Sequence, residues 1–203
     1  MRFFDLLFPP RVDEALLRAV SDDDFLRLVA PRLVPQTRPG TVALLPFQDD
    51  RVRAALHEAK YHGSSRAFRL LGSVLAEYLR DCDDIQPGKS LLLPIPLSKG
   101  RLRERGFNQV LEIAQHALNK EMGIKIDTSL LVRTRETPSQ VSLPRDLREE
   151  NMRGAFGAAH PLNPAHTYIV LDDVLTTGAT LQAALDALQE AGATRLVPLA
   201  LAH

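Results

Sequence analysis

Apolar positions recur along this chain in two rhythms, helical in the first half and strand-like in the second. Between residues 13 and 29, Leu16, Leu17, Val20 and Phe25 sit among charges at helix-like intervals, and Pro31 ends the pattern. Residues 31–40 hold three prolines and a glycine and read as a connector. A short strand is expected over residues 41–47. Two helices follow: 50–61, with Val52, Leu56 and Ala59 inward, and 65–80, with Phe68, Leu71, Leu75 and Leu79 inward. His62-Gly63-Ser64 supplies the break, with Ser64 a helix cap.

From Gly88 onward, short apolar runs alternate with amphipathic stretches, the texture of βα units. Residues 90–95 read as a buried strand. Phe107, Val110, Leu111, Ala114 and Leu118 form one stripe on the helix after it. Leu130-Leu131-Val132 is a short strand candidate, and residues 134–153 form a polar loop containing Pro138 and Pro144. Residues 167–171 read as a strand buried on both faces. A helix carrying Leu181, Ala184, Leu185 and Leu188 follows, stopped by Gly192, and then a strand over 195–201. The pattern predicts a Rossmann-like α/β core over residues 88–203, a parallel sheet flanked by helices, preceded by a mainly helical part over residues 1–87.

Composition narrows the function classes. The 203 residues carry 25 basic and 25 acidic side chains, a formal net charge of zero, which excludes a polybasic nucleic-acid binder but not a local basic patch. A single cysteine, Cys82, excludes an intramolecular disulfide and any Cys-x-x-Cys zinc site. Six scattered histidines show no metal-ligand spacing, so no bound zinc is expected. No apolar run approaches the roughly 20 residues of a membrane span. The opening is too short and too acidic for a signal peptide, so the chain reads as cytoplasmic.

The candidate chemistry lies in Ile169-Val170-Leu171-Asp172-Asp173-Val174-Leu175-Thr176-Thr177-Gly178-Ala179-Thr180. A buried strand ends in two carboxylates, and a hydroxyl-rich turn then opens a helix. Ligands of parallel sheets bind at this carboxyl edge. The turn offers backbone N–H groups and a helix dipole to a phosphate. The carboxylates suit paired ribose hydroxyls, or a divalent ion held partly by substrate oxygens. A second feature is the crowding of Lys99, Arg101, Arg103 and Arg105 at the start of a helix, where positive charges oppose the dipole unless an anion is present.

The strand–Asp-Asp–Thr-Thr-Gly-x-Thr segment resembles the signature of the type I phosphoribosyltransferases, which bind phosphoribosyl pyrophosphate (PRPP). Three other stretches make the chain similar to the competence protein F (ComF) family: Pro94-Ile95-Pro96-Leu97 through Arg105-Gly106-Phe107-Asn108-Gln109, Thr137-Pro138-Ser139-Gln140 through Arg153-Gly154-Ala155-Phe156, and Ala59-Lys60-Tyr61-His62-Gly63. The opening Leu7-Phe8-Pro9-Pro10 also matches. Many members carry a four-cysteine zinc motif soon after that opening; residues 11–33 here contain no cysteine, so the resemblance stops short of it.

The resemblance implies a Mg²⁺-dependent transferase acting on PRPP with release of pyrophosphate. Asp172 and Asp173 would meet the ribose hydroxyls and the metal. Thr176, Thr177, Gly178, Ala179 and Thr180 would cradle the 5′-phosphate. Leu97, Ser98 and Lys99 would form the pyrophosphate loop, with Arg101 and Arg105 contacting the leaving group. Arg145 and Arg148 would act from a flexible loop that closes over the substrate, and the N-terminal part would serve as a hood. Asn108 and Gln109 are expected to brace the pyrophosphate loop, and His62 to mark a helix end. No side chain stands out as a general base. The family's association with DNA uptake during natural transformation implies a second possibility, a non-catalytic protein that handles single-stranded DNA, or meets the uptake machinery, on a PRPP-binding fold.

Overall fold

The computed structural model describes residues 11–136 and 150–203. Two short helices open it, α1 (Val12–Ala19) and α2 (Asp22–Leu26), where the sequence pattern predicts a single one. Ser21 is the reason: its hydroxyl accepts the Asp24 N–H, starting a new helix at Asp22. The presumed connector then contributes a strand, β1 (Arg32–Val34), ahead of β2 (Thr41–Leu45). Helices α3 (Asp50–His62) and α4 (Ser65–Asp81) fall where their apolar stripes place them. Gly63, at φ 58°, closes α3 in the left-handed region, and Ser64 caps α4 as anticipated.

The second half runs β3 (Ser90–Pro94), α5 (Lys99–Arg105), α6 (Gln109–Ala117), β4 (Lys125–Ile126), β5 (Leu131–Arg133), β6 (Phe156–Ala158), β7 (Thr167–Val174), α7 (Ala179–Glu190) and β8 (Arg195–Ala202). The stripe expected to begin at Phe107 begins at Gln109 instead. Gly106, at φ 79°, ends α5, and Asn108 caps α6 by accepting the Val110 N–H at 3.0 Å. Phe107 lies between the helices yet still packs edge-on against Phe68 of α4, 5.8 Å between ring centroids. Strand β4, unexpected from the sequence, extends the sheet beyond β3.

Six strands form one sheet in the order β1-β2-β8-β7-β3-β4. All neighbours are parallel except β1, which pairs antiparallel with β2. Strand β7, long and apolar, therefore lies central between β3 and β8. Its side chains alternate between two cores: Ile169 and Leu171 enter one, Tyr168 and Val170 the other. The first core packs the sheet against α1 to α4 and α6, with Leu17, Phe25, Leu56, Leu71 and Ile113 fully or nearly buried. The second packs it against α7 and the small β5–β6 sheet through Leu131, Phe156, Leu185 and Leu188. Close approach of α4 to α6 depends on Gly72, where a β-carbon would stand 2.8 Å from the His116 β-carbon.

A division at residue 88 does not separate two sheets or two cores. Strand β2 lies beside β8, and Leu44 shares its cluster with Leu92 and Ile169. Among the described residues, no helix is long and apolar enough to cross a membrane.

One buried charge ties the N-terminal helices together. Glu58 of α3, its side chain 1% exposed, accepts two hydrogen bonds from Arg11, at 2.9 and 2.7 Å. That bonding holds its carboxyl below the usual range against the opposing effect of burial. A depressed carboxyl stabilises the fold above its unfolded pKa, and this contribution is lost as pH falls through the folded value. Glu58→Gln should therefore melt at a lower temperature than the wild type at pH 7. The gap should narrow as pH drops below about 4.3, the ordinary glutamate value. Thermal melts of both proteins between pH 7 and pH 3 check this; a gap that stays constant would refute it.

Candidate functional site

Asp172 and Asp173 occupy the carboxyl end of β7, Asp172 in register with Ala200 of β8. Backbone donors hold both: Asp172 Oδ1 accepts the Asp173 N–H at 2.9 Å, and Asp173 Oδ1 accepts the Val174 N–H at 2.8 Å. Burial, and next the adjacent Asp173 charge, push the Asp172 carboxyl up to about 7, and the charge of Lys60 acts in the opposite sense. The strand end thus concentrates negative charge that the protein only partly neutralises.

After β7 the chain turns through residues 175–178 into α7. Gly178 is the N-cap, at φ 79°, and no side chain caps the helix there. By contrast Asp49, Ser64, Ser98 and Asn108 cap α3, α4, α5 and α6 with hydrogen bonds to backbone N–H groups. A niche of about 10 Å³ lies inside the turn, bounded by Asp172, Thr176, Gly178, Ala179 and Thr180 among others. The segment before β2 buttresses the turn from outside: a β-carbon on Gly178 would stand 2.8 Å from the Gln36 carbonyl oxygen and 3.1 Å from Thr37.

Facing the acidic pair is α5, whose N-cap Ser98 accepts the Arg101 N–H. Arg101 and Arg105, four residues apart, share the half-buried face of this helix, while Arg103 is exposed. The Arg105 guanidinium lies 5.5 Å from the Tyr61 ring centroid and donates to Gln109 Oε1 at 3.0 Å. Gln109 in turn donates to Asp173 Oδ2 at 2.8 Å. The two charged motifs, distant in sequence, are thereby joined by hydrogen bonds.

A cavity of about 580 Å³ lies between them. Of the residues singled out in the sequence, Leu97, Ser98, Arg101, Arg105, Asp172, Asp173, Thr176 and Thr180 line it. Lys99 is exposed and does not line it; its backbone N–H donates to Glu136 at 2.8 Å. Thr177, Gly178 and Ala179 border a second cavity, about 800 Å³, on the outer side of the turn with residues 35–39. Arg145 and Arg148, and the opening Leu7-Phe8-Pro9-Pro10, lie outside the described residues. Asn108 braces the loop as anticipated, donating to the Ile95 carbonyl at 2.9 Å. Gln109 serves a different connection.

Sequence reasoning missed Lys60 and Tyr61, which reach the cavity from the last turn of α3, and Arg133, which reaches it from β5. The Ala59–Gly63 motif was the available signal for the first two. Arg133 gave none, because its value depends on where β5 packs. Its guanidinium lies 5.3 Å from the Phe156 ring centroid and donates to the Pro96 carbonyl at 3.4 Å. Burial, then the nearby Arg101 charge, lowers its pKa. The histidines also hold a feature that spacing did not reveal: ligand atoms of His57, Glu58 and His62 lie within 4.8 Å of one another. Glu58 is bonded there to Arg11, and His57 stands 2.9 Å from Asp13. His62 is the last residue of α3, as expected.

These elements define an α/β protein of mostly parallel sheet with an acidic strand end, an open-capped helix and a basic helix around one cleft. The chain is homologous to two groups of named proteins. It is 37% identical over 90 residues to the DNA utilization protein YhgH of Escherichia coli O6:H1, a match covering 44% of this chain and 39% of that protein. It is 28% identical over 145 residues to the competence protein ComFC of Bacillus subtilis, covering 71% and 56%. The matches thus span about two fifths to just over half of these relatives' lengths. No family model matches the chain. Among solved structures, Mycobacterium tuberculosis orotate phosphoribosyltransferase aligns with 92% of the chain and 81% of its own at 17% identity and a TM-score of 0.40. Leishmania tarentolae adenine phosphoribosyltransferase aligns with 68% and 57% at 20% identity and a TM-score of 0.37.

Proposed function

We propose that the 580 Å³ cleft binds PRPP and that the protein transfers its phosphoribosyl group to an acceptor, releasing pyrophosphate. The observation that carries this reading is the meeting, in one cavity, of the Asp172–Asp173 pair, Thr176 and Thr180 of the capping turn, and Arg101 and Arg105. PRPP needs these three kinds of contact: acceptors for a diol, donors for a terminal phosphate and cations for a pyrophosphate. The 5′-phosphate would lie at the turn, against the N-terminus of α7. The ribose hydroxyls would meet Asp172 and Asp173. Arg101, Arg105 and Arg133 would face the pyrophosphate and oppose the charge that grows on it as the bond to the anomeric carbon breaks.

The acidic pair fits Mg²⁺, a hard cation that takes oxygen ligands and retains others from water or substrate. Asp172 and Asp173 would hold it from the protein side, and its partly uncompensated charge at the strand end is what such an ion relieves. When bound, the ion supplies charge neutralisation for the pyrophosphate. Lys60 and Tyr61, which line the cleft from the N-terminal half, would meet the acceptor, which supports a hood role for that half.

The test is calorimetric titration with PRPP and Mg²⁺, followed by pyrophosphate release in the presence of nucleobases, amines or single-stranded DNA. Binding with micromolar affinity and release with one acceptor class is the expected result; absence of PRPP binding rejects the reading. The names of the relatives, a DNA utilization protein and a competence protein, favour a DNA-related role. The second reading is a non-catalytic protein that would handle single-stranded DNA in the same cleft. Tyr61, 55% exposed at the mouth, offers one ring for base stacking. Under that reading an oligonucleotide binds, PRPP with Mg²⁺ displaces it, and no pyrophosphate is released.

A further inference from the structure

Gln109 is 3% exposed, and its amide is committed at both ends. Arginine has only donors and a carboxylate only acceptors, so Oε1 must face Arg105 and Nε2 must face Asp173. The amide cannot flip without placing donor against donor and acceptor against acceptor. Bracing of the neighbouring loop falls to Asn108, which bonds both Ile95 and Val110. A buried glutamine that only filled space would not need partners on two separate motifs.

We propose that Gln109 is a positioning residue that couples the two ends of the cleft, so that an anion at Arg105 raises the affinity of a diol at Asp173. The inference rests on the PRPP reading of the cleft. Without ligand, the positive charge of Arg105 polarises the amide and strengthens its hydrogen bond to Asp173 Oδ2. An anion that neutralises Arg105 weakens that polarisation and leaves Asp173 a better acceptor for hydroxyls. It also fixes the Arg105, Gln109 and Asp173 rotamers, so the second ligand orders less of the site. By linkage, a diol at Asp173 must raise anion affinity at Arg105 by the same factor. PRPP, which carries both groups on one ribose, would gain from this coupling, whereas ribose 5-phosphate or pyrophosphate alone would not.

The experiment measures ribose 5-phosphate affinity with and without saturating pyrophosphate, both with Mg²⁺, in the wild type and in Gln109→Met. The enhancement by pyrophosphate should be roughly fivefold or more greater in the wild type, the lower range of measured couplings. Equal ratios in the two proteins would overturn the inference while leaving the PRPP reading intact. A wild type that binds neither fragment nor PRPP overturns the reading itself, and the coupling with it. Should Gln109→Met fail to fold, the side-chain amide resonances of Gln109 in the wild type decide. They should shift on adding pyrophosphate alone and shift again with ribose 5-phosphate. An amide that does not respond to bound pyrophosphate overturns the coupling.

Discussion

Replacing Asp172 and Asp173 together by asparagine should weaken binding of PRPP with Mg²⁺ by roughly 10²–10⁴-fold. Two charge-assisted contacts at about 1.5–3 kcal/mol each set that range. Neutral amides keep the size of the side chains but lose the charge that draws a metal-bound ligand. Far-ultraviolet circular dichroism would establish that the double variant is folded, and calorimetry would read the affinity. Unchanged affinity in a folded protein would remove the ribose assignment. A second readout uses Asp172→Asn alone, since an amide at Asp173 would place a donor against Gln109 Nε2. The folded pKa of Asp172, about 7, lies above the ordinary value near 3.9, so the folded state retains a proton that the unfolded chain gives up. The contribution of Asp172 to stability should then be lost as pH rises from about 4 to about 7, and Asp172→Asn should remove that part of the pH dependence. Urea unfolding at pH 5 and pH 8 measures it.

The other large effect concerns Gly178. Alanine there should destabilise the fold by about 2–4 kcal/mol, combining left-handed strain with the backbone shift needed to accommodate a new β-carbon. The contacting atom is a carbonyl oxygen of Gln36, which cannot swing aside as a side-chain tip would. Affinity for PRPP should fall with it, because the turn that would hold the 5′-phosphate must move. Gly100→Ala is the control: a β-carbon there meets nothing within 4 Å, and helix propensity predicts a neutral or slightly stabilising change. Similar urea midpoints for the two variants would refute the buttress.

What the sequence made legible follows from range. The apolar run over Ile169, Val170 and Leu171 is fully buried, and its position before an acidic pair and a glycine turn located the cleft directly. The caps at Gly63 and Ser64 were readable because they act within a few residues. Residues 31–40 were misread because Pro31, Pro35 and Pro39 mask a three-residue edge strand between them. Lys60, Tyr61 and Arg133 escaped for a different reason, as did the link that Gln109 makes between Arg105 and Asp173. Each matters only because the crossovers that place β7 between β3 and β8 bring α3, α5, α6 and β5 around one strand end. No local pattern encodes that neighbourhood.

The pairing of β2 with β8 bears on how the chain can be dissected. A fragment beginning at residue 88 would strip β8 of its partner from Val42↔Leu199 to Leu45↔Ala202, leaving a bare row of N–H and C=O groups. Beside that row, Leu199 and Leu201, now fully buried, would lose the N-terminal helices that cover them. Exposed edges of this kind invite edge-to-edge association between copies. The turn at Gly178 would lose Gln36 and Thr37 as well. The half that carries the recognisable motif is therefore not a minimal unit, and any truncation intended to isolate the cleft has to keep residues 32–45.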